Sequence, residues 1–403
     1  MIQDMTGESR VELADLVIRE EDGDHIVGRV DSGEFVALPQ VGARAVQLLR
    51  DGDSLEVISA RLAEEYGEKV DMREFVADLA ELGFVLSVNG VPVSSGQRDV
   101  ATHLPWLHQS HIAWIFSLPA KICYGLLVLG GVLAVTLRPE LLPSTRNLLL
   151  SDSPSVVITV NTALFLLVVA AHESAHLVAA RSLGLPARIS LGTRLYNLVA
   201  QTDLSALWSV PRAQRFRGYL AGIVSDVGLA STVVITQFLV PMPAWLNHSL
   251  SAMVVLIVLG LIAQLQLYMR TDLYFVLCEL LGARNLFEDA TIMLLGLLRM
   301  APRNALQVSP RERRVVMLYM WLMVTGSAGA MAFFGWVVIP ALVILFADAV
   351  RSIVSGITGG ELIPVLDGVT TVGIEGGLWV LFVVVFVRSR REWMARIRKG
   401  LAA

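Results

Sequence analysis

The sequence predicts a mostly α-helical, polytopic membrane protein with a small α+β domain at its N-terminus. Of its 403 residues, 55% are hydrophobic and only 17% are charged, whereas soluble domains are roughly 45–50% apolar. Apolar runs near the length of about 20 residues that spans a bilayer recur after residue 118. Charge is also unevenly divided, because residues 1–105 contain 21 acidic and 9 basic residues and the remainder contains 15 and 23.

These observations divide the chain into three predicted parts. We expect a soluble domain at residues 1–97, an interfacial linker at 98–118 and a membrane-embedded domain at 119–403. The acidic charge of the first part argues against nucleic acid as a partner. Two cysteines, Cys123 and Cys278, are too few for a disulfide scaffold or a thiolate metal site.

The N-terminal part predicts three strands and three helices. The strands are expected at residues 16–20, 25–31 and 34–38, and the helices at 41–50, 54–67 and from 72, followed by a β-rich tail at 84–93. Ser54 and Asp71 suit helix N-caps, and Gly67 suits a helix C-terminus. This order favours a winged-helix-like domain.

The same segment resembles a known peptide-binding family. DSGEFVALPQVGARAVQLLRDGDSLEVISARLAEEYG and the later DMREFVADLAELGFV are similar in ordered pattern to a PqqD-like domain, also called a RiPP recognition element, over roughly residues 11–90. The resemblance implies a precursor or leader peptide as partner, which adds as an extra strand to an exposed sheet edge. That edge is expected at Glu34, Phe35 and Val36. An unrelated winged helix with a regulatory or assembly role is the alternative.

Residues 98–118 predict a segment at the membrane interface. His103, His108 and His111 lie near Trp106 and Trp114. The spacings of the histidines match no strong metal-ligand pattern, whereas tryptophans are enriched at membrane–water interfaces. We therefore expect an interfacial linker rather than a metal site.

Six membrane spans are predicted, with both termini in the cytoplasm. The apolar runs lie near residues 119–137, 155–180, 218–240, 249–269, 315–347 and 371–387. The fifth run contains glycines and Pro340 and could form one helix or two. With six spans, one side of the membrane receives 19 Lys/Arg from the connecting segments and the C-terminal tail, and the other side receives three. The positive-inside rule favours this topology, in the cell (plasma) membrane.

The second predicted span contains the motif H-E-x-x-H, formed by His172, Glu173 and His176. A charged residue at the centre of a membrane helix costs roughly 2.5–3.5 kcal/mol on insertion scales, so such residues usually serve a site. The spacing places both imidazoles on one helix face, where they suit a single metal ion, with the carboxylate as general base. A chance match on an apolar helix is the alternative interpretation.

A catalytic zinc usually has three protein ligands and one open position. Asp272 follows the fourth predicted span and lies at the depth expected for the end of H-E-x-x-H. Glu279, Asp226 and Asp203 are competing carboxylates. The residues alone leave this choice open.

Three ordered segments resemble the membrane zinc peptidases of the site-2 protease family over about residues 160–300. They read HESAHLVAARSLGLPARI, QTDLSALWSVPRAQRFRGYLAG and RTDLYFVLCELLGARNL. The resemblance implies one Zn²⁺ ion with His172, His176 and Asp272 as ligands and Glu173 as the base. Asp226 is expected either to contact the peptide or to form a hydrogen bond between helices.

Two positions depart from the family pattern. Leu273 replaces the glycine expected after the aspartate, and Ile223 replaces a proline in the third span. Both departures concern loop geometry and peptide alignment more than metal binding.

The two resemblances together predict a zinc metalloendopeptidase that removes the leader from a ribosomally synthesised, modified peptide. Regulated intramembrane proteolysis of a membrane-anchored signalling protein is the second hypothesis. A peptide-docking or export component that holds zinc without turnover is the third, and Leu273 and Ile223 keep it open.

Overall fold

The structure, a computed structural model, describes residues 5–21, 23–67, 69–93, 102–300 and 310–400. Within these ranges six helical segments are long and apolar enough to cross a membrane. This confirms the predicted fold class and number of spans. The start of the predicted linker, residues 98–101, lies outside the described residues.

The chain forms two compact units. The first contains the segment up to Ala113 together with Leu177–Arg188 and Thr202–Gly218. The second contains Trp114–His176, Ile189–Gln201 and the chain from Tyr219. The end of the second predicted span with the residues after it, and the segment before the third, therefore belong to the same unit as the N-terminal domain.

The N-terminal domain combines two small antiparallel sheets with three helices. Its elements are β1 (Val11–Leu13), β2 (Val17–Glu21), β3 (Asp24–Arg29), β4 (Glu34–Leu38), α1 (Gln40–Arg50), α2 (Leu55–Tyr66), α3 (Met72–Glu81), β5 (Val85–Val88) and β6 (Val91–Pro92). The sheets have the orders β1-β5-β6 and β2-β3-β4. The strand β1 was not predicted, because three residues are too few to show alternation.

Local signals explain where the helices of this domain begin and end. Gly67 has φ +72° and ends α2 in the left-handed conformation that glycine adopts without steric cost. The Asp71 side chain accepts hydrogen bonds from the backbone N–H groups of Arg73 and Glu74 and so starts α3. The core between helices and sheets contains fully buried apolar side chains such as Ile58 and Phe84.

The remainder of the chain is mainly helical. Its elements are α4 (Gln109–Ile112), α5 (Leu118–Leu137), α6 (Pro154–Ser182), β7 (Arg188–Arg194), β8 (Asn197–Asp203), α7 (Arg212–Tyr219), α8 (Ala221–Leu239), α9 (Ala244–Ala263), α10 (Asp272–Leu281), α11 (Leu286–Leu297), α12 (Pro310–Phe333), α13 (Ile339–Gly359) and α14 (Leu362–Gly400). Short 3₁₀ helices lie at Ala113–Phe116, Ser205–Ser209 and Leu267–Met269.

Span boundaries differ from the sequence prediction in two places. The fifth run is one continuous helical span, Glu312–Gly359, in which the π-helical turn Phe334–Val338 accommodates Pro340. The fourth span, α9, ends at Ala263 rather than near residue 269. The chain then forms a 3₁₀ turn before α10, and this turn brings Asp272 to the start of a new helix.

Candidate metal centre

Helix α6 presents His172 and His176 on the same face. Their ring centroids are 4.9 Å apart and their Nε2 atoms are 3.2 Å apart. Residues four positions apart lie one turn apart on a helix, so this proximity follows from the spacing in the sequence. His176 is buried, with 2% of its surface exposed, whereas His172 is half-buried.

Asp272 joins the two histidines from the first position of α10. Its Oδ2 atom lies 2.9 Å from His172 Nε2 and 3.1 Å from His176 Nε2. Gln264 holds this helix start, because its side-chain carbonyl accepts from the Asp272 N–H at 3.0 Å and its backbone carbonyl accepts from Thr271 Oγ1 at 2.7 Å. Burial alone would raise the pKa of Asp272, but its hydrogen bonds with the two histidines outweigh burial and lower that pKa.

Within the described residues, these three side chains form a group that could hold a metal ion, because their ligand atoms all lie within 4.8 Å of one another. The ligand atoms of a tetrahedral zinc at its usual bond lengths are roughly 3.3 Å apart, close to the spacings seen between these atoms. Two imidazole nitrogens and one carboxylate oxygen are also a donor set that zinc prefers. The chemistry of the group therefore fits a zinc ion.

Gly222 keeps the space beside these ligand atoms open. It lies in the first turn of α8, and a Cβ atom there would be 2.5 Å from His176 Nε2 and closer still to His172 Nε2. Such distances are shorter than non-bonded contacts, so any other side chain would enter the volume next to the ligand atoms. The backbone of α8 thus forms one wall of the candidate site. Ile223, the departure from the expected proline, is the next residue of this helix.

Asp226 lies one turn further along α8 and contacts the other side of the His172 ring. Its Oδ2 atom is 2.9 Å from His172 Nδ1. If Nδ1 carries the proton, it donates to Asp226, and Nε2 keeps a lone pair on the side of His176 and Asp272. Metal-binding histidines usually donate their other ring N–H to a carboxylate in this way. The second oxygen of Asp226 is buried without a hydrogen-bond partner among the described residues.

The sequence predicted two alternative roles for Asp226, and the structure shows one of them. The contact with His172 joins α8 to α6, so the hydrogen bond between helices is present. The contact of Asp226 with a peptide stays a prediction.

Glu173 follows His172 on α6 and is buried, with 8% of its surface exposed. It is close enough to His176 and to Arg194 for charge interactions with both. A carboxylate beside the ligand set is the arrangement that a general base requires. Glu279, a competitor for the third ligand position, is buried on α10 outside the three-residue group.

Arg194 is a charged residue near this group that was not predicted from the sequence. It ends β7 and interacts electrostatically with both Asp272 and Glu173, and burial lowers its pKa while these two carboxylates act in the opposite direction. The turn that follows is anchored, because Tyr196 stacks on Phe334 with ring centroids 4.4 Å apart. The available signal was a basic residue inside the strand-like stretch RISLGTRLYN between two spans.

The predicted peptide edge lies on β4, in the first compact unit. In the described chain β4 pairs on one side only, with β3, so its other edge is available for a further strand. Val36 packs against the domain core, whereas Glu34 is exposed. Phe35 lies on the opposite face from Val36 and packs over Gly28.

The linker histidines form no ligand group within the described residues. His108 and His111 are exposed, and Trp106 is 64% exposed. The linker is held by Arg181, whose guanidinium donates to the backbone carbonyls of Leu107 at 3.0 Å and Pro105 at 3.3 Å. Its location at a membrane interface stays a prediction.

Comparison with known families identifies the N-terminal domain only. Residues 24–85, from β3 to the start of β5, match the family described as Coenzyme PQQ synthesis protein D (PqqD). No curated protein and no solved structure matches the chain. The chain therefore contains a PqqD-like domain, as its sequence pattern predicted, joined to a helical region with six candidate membrane spans.

Proposed function

We propose that this protein is a membrane-embedded zinc metalloendopeptidase that hydrolyses a peptide bond in a substrate captured by its PqqD-like domain. The observation that supports this most is the convergence of His172 Nε2, His176 Nε2 and Asp272 Oδ2 beside Glu173. The ordered resemblance to site-2 proteases is a second support. In this proposal the six spans lie in the plasma membrane, with both termini in the cytoplasm.

His172, His176 and Asp272 would hold one zinc ion. When bound, zinc supplies Lewis-acid chemistry, which polarises a carbonyl and lowers the pKa of water. Asp226 would orient the His172 ring through Nδ1, and Gly222 would leave room beside the ligand atoms.

Glu173 would act as general base and then as general acid. Its carboxylate takes a proton from a water molecule while the water oxygen forms a bond to the scissile carbonyl carbon. The same proton passes to the leaving amine as the C–N bond breaks, which completes the hydrolysis. Arg194 would supply a fixed positive charge close to Glu173 and Asp272 and could donate to the substrate carbonyl oxygen.

The PqqD-like domain would supply the substrate. PqqD-like domains bind precursor peptides, and β4 offers an open strand edge for such a peptide. A peptide bound in the same chain as the protease has a raised effective concentration at the site. Leader removal from a ribosomally synthesised, modified peptide follows as the reaction that needs both parts.

Product analysis tests this function against its alternatives. Wild-type protein in liposomes is incubated with a leader-bearing precursor, the same precursor without its leader, and a single-span membrane-anchored protein, and the new peptide termini are mapped by mass spectrometry. Leader removal predicts new termini mainly in the first substrate. Cleavage of the membrane-anchored substrate alone would favour regulated intramembrane proteolysis. Zinc-loaded protein that yields no new termini would favour the docking or export role.

A further inference from the structure

The sheet β2-β3-β4 has two buried faces, of which only one packs on the core of its own domain. The strand register places Ile18, Val27 and Val36 side by side on the core face. Successive residues of a strand point to opposite faces, so the neighbouring Ile26 lies on the other face. Ile26 is only 3% exposed, yet it is not part of the core cluster. Another part of the same compact unit must therefore cover this outer face.

The cover is residues 205–218, which we call the docking segment. Its 3₁₀ helix, Ser205–Ser209, contacts each of the strands β2, β3 and β4. Leu207 is fully buried, and Ala206 is 5% exposed. Ser205 approaches the β3–β4 turn so closely that a Cβ atom on Gly33 would lie 3.2 Å from its side chain. The docking segment therefore packs against the sheet with buried apolar contacts.

An ion pair fastens the docking segment to β2. Arg215 is 0% exposed, and its Nη1 and Nη2 atoms lie 3.0 and 2.5 Å from the two carboxylate oxygens of Glu21. Its Nε donates to the Val210 carbonyl at 3.2 Å, and the guanidinium lies 4.4 Å above the Trp208 ring. Arg19 is a second ion-pair partner of Glu21. Removing the Glu21 carboxylate leaves the buried Arg215 guanidinium as an uncompensated charge, which is strongly destabilising.

The docking segment is continuous with the helix that borders the metal centre. It ends at residue 218, and α8 begins at Ala221 and contains Gly222 and Asp226. We propose that the outer face of the β2-β3-β4 sheet is an intramolecular docking face for this segment. The Glu21–Arg215 ion pair, which we call the lock, stabilises the docked segment. The ion pair keeps the sheet of the peptide-binding domain packed on residues 205–218, which precede α8 in the sequence. The free edge of β4 remains available for a peptide strand. The role of the lock in substrate delivery rests on the function proposed above.

Hydrogen exchange tests the lock without any substrate. The full chain in detergent is compared as wild type, Glu21→Gln and Glu20→Gln, the last being a matched control because Glu20 is an exposed carboxylate one residue earlier in β2. Glu21→Gln should speed exchange at least about tenfold in β2 and in residues 205–218, with β5 unchanged. Glu20→Gln should behave as wild type. Equal exchange in the two variants would overturn the lock.

A double variant keeps this test decisive if Glu21→Gln folds poorly. Glu21→Gln combined with Arg215→Gln removes both charges and so leaves neither of them buried alone. It should exchange more slowly in residues 205–218 than Glu21→Gln alone, in which Arg215 stays buried without its carboxylate partner. Strictly additive effects would show that the two side chains do not act as a pair.

Steady-state cleavage tests the role in delivery. In Glu21→Gln the KM for a leader-bearing precursor should rise about tenfold with kcat retained, while cleavage of the leaderless peptide stays unchanged. Faster exchange with an unchanged KM would overturn the delivery role and leave a structural contact. If the wild type cleaves neither peptide, the proposed function fails, and the exchange experiment still decides whether the lock exists.

Discussion

Two buried groups of charged and polar side chains, one in each compact unit, differ in what completes them. Glu21 and Arg215 have opposite charges that compensate each other, with two guanidinium N–H groups on two carboxylate oxygens and Arg19 as a second partner of Glu21. His172, His176 and Asp272 instead bring two ring nitrogens and one carboxylate oxygen within 2.9–3.2 Å of one another. Neutral imidazoles lack the protons to satisfy all of these contacts, and a cation would satisfy them together.

This difference separates a structural contact from a candidate metal-ligand site. Substitution in the ion pair should lower the local stability of the first compact unit and leave the metal content unchanged. The histidine–aspartate group should respond by losing a metal ion while the fold is retained. The predictions below test this separation, beginning with the largest effect.

Removal of a ligand should abolish metal binding. His176→Ala leaves two ligands where a zinc site usually has three. Elemental analysis of the purified chain should show zinc falling from about one ion per chain to almost none, with an unchanged circular dichroism spectrum. His248→Ala is the control, because His248 is exposed on α9. Full zinc content in His176→Ala would show that His176 is not a zinc ligand.

Filling the space beside the ligands should be nearly as damaging. Gly222→Ala places a methyl group against the Nε2 atoms of His172 and His176, so zinc affinity should fall at least about 100-fold. Gly260→Ala is the matched control, because Gly260 lies on α9 and an added Cβ atom there would meet no other side chain or segment within 4 Å. Competition with a zinc-binding dye measures both affinities. A Gly222→Ala variant with the affinity of the control would contradict the assignment of this wall.

Loss of the residue that orients a ligand should have an intermediate effect. Asp226→Asn weakens the acceptor for His172 Nδ1, so zinc affinity should fall about 10–100-fold. Asp367→Asn removes a carboxylate whose contacts are with Ser153 and Ser155, and it should leave zinc affinity unchanged. Equal affinities in the two variants would mean that Asp226 does not orient the ring.

The smallest effect is expected in the other unit. Trp208→Ala removes the ring under the Arg215 guanidinium, a contact of roughly 0.5–2 kcal/mol, and should speed exchange in residues 205–218 about twofold to thirtyfold. Trp208→Phe should retain most of the protection. Zinc content should equal that of the wild type in both variants. Loss of zinc in either would erase the distinction between the two groups.

Local sequence signals were enough to predict much of the fold. Gly67 and Asp71 mark helix ends through backbone conformation and capping, and both act there as expected. The number of spans follows from the length of the apolar runs. The spacing of His172 and His176 fixes their common helix face without reference to any other segment.

Other features depend on contacts between segments far apart in the chain. Gly222 and Arg194 lie near the candidate metal centre only through the packing of α8 and the β7–β8 hairpin, so no local pattern predicts their place there. Arg215 resembles any basic residue of a polar loop until Glu21 is placed beside it. The prediction of Asp272 as the third ligand depended partly on the sequence and partly on resemblance. Its expected depth in the membrane matched that of H-E-x-x-H, and the resemblance to site-2 proteases selected it from the competing carboxylates.

We propose that the group of His172, His176 and Asp272 binds a metal ion and that Glu173 acts beside it as the general base in hydrolysis. Glu173→Gln separates these two statements, because the amide keeps the size of the side chain but cannot accept the proton. Zinc content and cleavage of a leader-bearing precursor are measured on the same preparation. We expect about one zinc ion per chain and a cleavage rate at least about 100-fold below wild type. Full zinc content with cleavage at the wild-type rate would contradict it.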